Sequence, residues 1–136
     1  MTDKLSPERR SANMRNIRSK NTSPEMAVRR LVHGMGFRYR LHVPNLPGKP
    51  DLVFPRLRKI IEVRGCFWHQ HNRGCIDSRL PKSRVEYWAP KLAANQKRDK
   101  QNLKLLRKMG WLVLILWECE VEGPATPLKL RRFLES

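Results

Sequence analysis

The sequence predicts one α/β domain: a mixed central β-sheet flanked by helices. Three observations predict it. Helical and strand-like segments alternate along the chain, 136 residues are one domain's worth, and 40% hydrophobic content is enough for a core. There are no internal repeats or low-complexity tracts.

Residues 1–22 are polar and basic, with Ser6-Pro7 as an early helix start. Ser11 to Arg18 can be helical, with Met14 and Ile17 set among Arg10, Arg15 and Arg18. This segment reads as a DNA-contacting arm or as a frayed terminus, and the domain proper as 23–136. The first firm helix starts at Thr22 or Ser23, either of which can N-cap, with Pro24 in the first turn. Val28, Leu31, Val32 and Met35 share one face, and Gly36 supplies the stop. Glu25 lies in the first turn, where the helix dipole favours a carboxylate.

From Phe37 the period becomes two: Phe37, Tyr39, Leu41 and Val43 alternate with Arg38, Arg40 and His42, giving a half-buried strand with a basic outer face. Pro44, Pro47 and Pro50 then forbid helix and force an extended approach. Asp51-Leu52-Val53-Phe54 is a short strand, and Ile60 to Val63 a second one after a tight basic turn. Strands joined so closely must be antiparallel neighbours, which sets Asp51 beside Glu62.

Cys75 to Glu86 reads as irregular and polar, and a long helix runs from about Ala89-Pro90 to Met109 before Gly110. Leu103, Leu106 and Met109 can face the core. Lys91, Asn95, Arg98 and Asn102 form a polar stripe, either DNA-facing or solvated. The continuous apolar run Trp111 to Trp117 reads as a buried central strand reached by a right-handed crossover. A last helix begins at Thr126-Pro127 and uses Leu128, Leu130, Phe133 and Leu134.

Charge narrows the function. Twenty-nine Lys and Arg against twelve Asp and Glu leave +17, which calls for a polyanionic partner, nucleic acid first and anionic membrane a weaker second. No apolar run spans a bilayer, and residues 1–20 lack a signal-peptide core, so a soluble cytoplasmic protein is expected. Cys66, Cys75 and Cys119 are too few and odd in number for a disulfide framework, leaving metal ligation or burial.

Two constellations carry chemistry. Pro50-Asp51 followed by Glu62-Val63-Arg64 approximates the PD…(D/E)xK pattern of restriction-endonuclease-like nucleases, in which carboxylates hold Mg²⁺ for phosphodiester hydrolysis. A salt bridge among Asp51, Glu62 and Arg64 is the alternative. Cys66, His71, Cys75 and Cys119 can hold one tetrahedral zinc, a closed set being structural rather than catalytic. Buried free cysteines are the alternative there, and suit Cys119 best.

Asn13-Met14-Arg15, Leu46-Pro47-Gly48-Lys49-Pro50-Asp51, Gly65-Cys66-Phe67-Trp68-His69, Tyr87-Trp88, Arg98-Asp99 and the run from Gly110-Trp111 to Trp117-Glu118-Cys119 together resemble the very-short-patch mismatch-repair endonucleases, the Vsr family. The resemblance implies a restriction-endonuclease-like fold with a zinc-stabilised loop. It implies Mg²⁺-dependent nicking of one DNA strand beside a T:G mismatch left by 5-methylcytosine deamination. By position, Asp51 and the Val63 carbonyl would bind Mg²⁺, while Glu25 and His69 would act through water on the ion, His69 as general base. Cys66, His71, Cys75 and Cys119 would hold zinc. Phe67, Trp68 and Trp88 would wedge into the base stack from one groove and Met14 from the other, with Lys91 and Asn95 near the mismatched bases.

The chain departs from the family pattern in carrying Arg64 where a histidine is expected, Glu62 where an apolar residue is expected, and a longer His71 to Cys75 spacing. Arginine cannot accept a proton. Two other functions therefore stand beside the first: a catalytically weak mismatch-binding module that recruits repair proteins, and a nuclease working through Asp51, Glu62 and Arg64 without mismatch preference. A single-strand nick at an asymmetric lesion suits a monomer.

Overall fold

A computed structural model describes residues 22–71, 75 and 84–136. The expected N-terminal arm, with Met14 and the Ser11 to Arg18 helix, lies outside the described residues up to position 21, as does most of the Cys75 to Glu86 connection.

Helix α1 spans Ser23–Gly34. Thr22 caps it as expected: its hydroxyl accepts the Glu25 N–H at 3.4 Å, and Pro24 sits in the first turn. Four strands follow, β1 (Arg40–Leu41), β2 (Leu52–Phe54), β3 (Lys59–Arg64) and β4 (Leu112–Trp117), in spatial order β1-β2-β3-β4. β1, β2 and β3 are antiparallel neighbours and β3 pairs with β4 in parallel, so the sheet is mixed. The parallel pair is joined through helix α2 (Val85–Lys108). A one-turn helix α3 (Glu118–Val121) and helix α4 (Thr126–Glu135) complete the chain.

Strand alternation splits the core between the two faces of the sheet. Leu52, Phe54, Ile61 and Leu116 meet Val28 and Val32 of α1 and Leu130 and Leu134 of α4. Val53 and Ile60 turn the other way, onto Leu106 of α2 and Trp111. The result is a helix–sheet–helix sandwich, the α/β architecture the sequence predicts.

Several local expectations change. The strand expected over 37–43 pairs only at Arg40–Leu41, because Phe37 and Tyr39 pack against the α1 side of the core outside the ladder. Among the described residues β4 lies at the edge of the sheet, not at its centre. Its apolar run reflects cover on both faces, Leu114 and Leu116 on one and Val113 on the other, while Leu112 stays 57% exposed. α2 begins at Val85, ahead of Pro90, because Trp88 and Leu92 pack into an aromatic cluster with Trp68. Proline there removes only one bond near the helix start. Leu106 is fully buried, but Met109, at the C-cap, is 47% exposed. Leu128 also faces outward.

Candidate functional site

The chain closes around one cleft of about 950 Å³. α1 delivers Glu25 from its first turn, the edge of β2 delivers Asp51, and the end of β3 delivers Glu62, Val63 and Arg64. The loop after β3 contributes Trp68 and His69, and α2 forms the opposite wall with Asn95, Arg98, Asp99 and Asn102. Asn95, Arg98 and Asn102 of the polar stripe therefore line the cleft, while Lys91 lies over the tryptophan rings.

Asp51 Oδ2 accepts the Val63 backbone N–H at 2.8 Å, a bond made possible by the β2–β3 register that pairs Leu52 with Ile61. Burial raises the Asp51 carboxyl from 3.8 to about 7, the Val63 bond opposes the rise, and the nearby Glu25 and Glu62 charges add to it. Glu25 is buried and held by Arg29 of the next helical turn. Its Oε2 also lies 2.6 Å from His42 Nε2, and that same nitrogen is 3.8 Å from Asp51 Oδ1. Glu25 is thus far more than a dipole partner. His42 belongs to the site too, although its alternation had placed it on a basic outer face. Nothing in the local pattern signals this, since the pairing spans 17 positions.

Ligand atoms of Glu25, His42 and Asp51 all lie within 4.8 Å of one another. About 3 Å separates neighbouring ligands around an ion at roughly 2.1 Å, and about 4.2 Å separates opposite ones, so the cluster fits a divalent cation. Glu62 stands beside this set, with Oε1 3.4 Å from Arg64 Nη2. The expected Asp51, Glu62 and Arg64 grouping exists, with Arg64 drawn to Glu62 and laid over the Trp117 ring at 5.9 Å.

His69 Nδ1 is 2.6 Å from Asp99 Oδ2. A carboxylate on Nδ1 fixes the tautomer in which Nε2 carries the lone pair, the arrangement of an oriented general base. Asp99 is the second site residue that local sequence pattern does not single out as a partner, because it meets His69 only through tertiary packing.

The four expected zinc ligands converge. Cys66, His71, Cys75 and Cys119 present atoms within 4.8 Å of one another, with His71 Nδ1 3.4 Å from Cys119 Sγ and 3.8 Å from Cys66 Sγ. A tetrahedral zinc with bonds near 2.3 Å to sulfur and 2.0–2.1 Å to nitrogen needs about 3.6 Å between them, so the set fits. Burial pushes the Cys66 and Cys119 thiols up. Cys119 is exposed and Cys66 buried, the reverse of the order expected for free cysteines. Trp117 stacks on the His71 ring at 4.3 Å, and Glu118 Oε1 accepts the Cys66 N–H at 2.9 Å.

Phe67, Trp68 and Trp88 form one edge-to-face cluster with centroids 5.2–5.5 Å apart. Phe67 is its half-buried member, while Trp68 and Trp88 are 3% and 6% exposed. Lys91 lies 5.9 Å from both tryptophan rings, and Asn95 is buried, donating to the Trp68 carbonyl at 3.3 Å. Among the described residues no helix is long and apolar enough to cross a membrane.

Comparison with known proteins gives the family. Residues 2–75 match the family described as DNA mismatch endonuclease Vsr. The chain is 51% identical over 136 residues to the type II nicking enzyme V.XorIIP of Xanthomonas oryzae pv. oryzae, covering 99% of this chain and 98% of that one. It is 38% identical over 123 residues to the DNA mismatch endonuclease Vsr of Escherichia coli, covering 90% and 78%. The type II nicking enzyme V.NmeAIP of Neisseria meningitidis is 38% identical over 125 residues, 92% and 88% of the two chains. By its matched profile and by identity over nearly its whole length, the chain belongs to the Vsr family of DNA endonucleases.

Proposed function

We propose that the protein nicks one strand of duplex DNA beside a T:G mismatch, with a divalent ion in the carboxylate site and zinc in the Cys–His cluster. One observation carries the reading: the carboxylates Glu25, Asp51 and Glu62, the His69–Asp99 pair and Trp68 of the aromatic cluster all line one cleft of a +17 chain. Asp51, with Glu25 and the Val63 backbone nearby, would hold Mg²⁺. The ion supplies charge neutralisation of the phosphate and orientation of the nucleophile. His69 takes a proton at Nε2 while Asp99 holds its other nitrogen. Phe67, backed by the buried Trp68 and Trp88, forms a stiff edge that enters a weakened base step, and a wobble pair costs less to unstack than a matched one. Lys91 and Met14 would contribute contacts on either side. Cys66, His71, Cys75 and Cys119 fix the loop that carries this edge. The protein works as a monomer and can hand its nick to other repair proteins.

The test is nicking of a T:G duplex against a matched T:A duplex with Mg²⁺. Cleavage of the T:G substrate alone, lost in Asp51→Ala, is expected. Equal cutting of both would remove the mismatch claim, and tight binding without cutting would favour a recruiting module.

Arg64 and Glu62 favour a second reading. Both line the cleft as an ion pair at the end of β3, where a superfamily nuclease without mismatch preference would keep its working residues. Loss of cutting in Glu62→Ala but not in His69→Ala would select it.

A further inference from the structure

His42 occupies a place that its role as an exposed strand residue does not explain. Its ring is nine-tenths buried, and Nε2 reaches carboxylates from two different elements, Glu25 at 2.6 Å and Asp51 at 3.8 Å. The backbone delivers it there at a cost. His42 has φ +45, in the left-handed region that side chains avoid, and its N–H is tied to the Asp51 carbonyl at 3.2 Å. Lys49, Arg58, Gln70 and Arg84 share that conformation, so it is the burial of the ring between two carboxylates that marks His42.

The 2.6 Å contact to Glu25 is a hydrogen bond, whose proton a cation seated among the three side chains would displace. Nε2 stands from the two oxygens at separations that bracket the spacing of about 3 Å between neighbouring ligands of a six-coordinate ion. Imidazole nitrogen is a poor partner for Mg²⁺, which takes oxygen, and a better one for later divalent metals along the series from Mn²⁺ to Co²⁺. We propose that His42 supplies a nitrogen ligand to the cation site beside Glu25 and Asp51, so that this site binds Mn²⁺ or Co²⁺ in preference to Mg²⁺. The proposal rests on the carboxylate-site reading above and adds to it one nitrogen ligand, which strengthens binding of Mn²⁺ and Co²⁺ at a site that also accepts Mg²⁺.

The test uses the full chain with zinc loaded and one equivalent of Mn²⁺. Electron spin-echo envelope modulation reads the nitrogen coupling of a directly bound imidazole. The wild-type protein is expected to show that coupling and to bind Mn²⁺ about tenfold more tightly than His42→Gln, the range a lost ligand contact commonly gives. In His42→Gln the coupling should vanish while Mg²⁺ affinity, measured by competition, changes less than about twofold. His42→Asn, checked for native circular dichroism, serves if the glutamine variant fails to fold. Coupling absent from the wild type, or retained in either variant, would overturn the assignment. Asp51→Ala separates the two levels: Mn²⁺ binding unaffected by that change would remove the carboxylate site itself. Binding that needs Asp51 but shows no nitrogen would remove His42 alone.

Discussion

Asp51 has a carboxyl whose surroundings work against its charge. Burial raises it to about 7 in the folded protein from 3.8, so the folded state holds that proton more tightly than the unfolded chain does. The sign follows directly. Stability from this group is greatest where both states are protonated, declines as pH rises from about 3.8 to about 7, and is flat above. Asp51→Asn should therefore raise the melting temperature by roughly 5 °C at pH 8 in Mg²⁺-free buffer, and by less at pH 5, while abolishing nicking. Calorimetry at both pH values checks this, and a larger gain at pH 5 would contradict it. For the second pair, Asp99→Asn should lower the nicking rate about 10²- to 10⁴-fold with little change in DNA affinity, because it disturbs the tautomer of His69 and not the binding surface. Asp51, Glu62 and His69 could be picked from the sequence because each sits in a recognisable local pattern. His42 and Asp99 could not, since each acquires its role only from a partner 17 or 30 positions away.

Among the elements, the loop into β2 is set by a glycine. Gly48 has φ +77, and a Cβ there would come within 2.9 Å of Asn102 Nδ2 on α2. Gly48→Ala should cost about 1–2 kcal/mol, and a double-mutant cycle with Asn102→Ala should recover part of it, leaving the backbone strain. At the far end of the sheet, buried Lys59 donates to the Phe133 carbonyl at 2.7 Å and the Ser136 carbonyl at 2.9 Å, closing the last turn of α4. Lys59→Met should destabilise by about 2 kcal/mol in urea unfolding, and a change within 0.5 would argue against that role. Helix α1 was legible to its cap because Thr22, Pro24 and the apolar spacing are local signals. The early start of α2 and the edge position of β4 were not. The first depends on Trp68 and Leu92 meeting across the fold, and the second on strand order, which an apolar run does not encode.

For the whole molecule, +17 on 136 residues is the property most easily read and most easily tested. If six or more phosphates are neutralised, affinity for duplex DNA should fall about a thousandfold or more between 50 and 200 mM salt. A salt slope shallower than about −3 would limit the basic surface to a minor part in binding. The fold class was equally legible, because alternating helical and strand periods leave few other architectures. The cleft was legible only in outline, as metal-site residues and a polar stripe on α2 whose convergence on one cleft only the tertiary fold supplies.

The Cys–His cluster has a consequence beyond holding a loop in place. Cys66 and His71 bracket Phe67, Trp68 and His69, so a single short turn is clamped at both ends by the same prospective ion. Newly made chain lacking that ion would keep its sheet, whose core includes neither Phe67 nor His69, but would hold the turn only through the aromatic cluster and the His69–Asp99 contact. Activity would in this way be gained only once the ion is bound. Chain refolded without zinc should show native sheet signal in circular dichroism but no nicking, with activity restored on adding one equivalent of zinc.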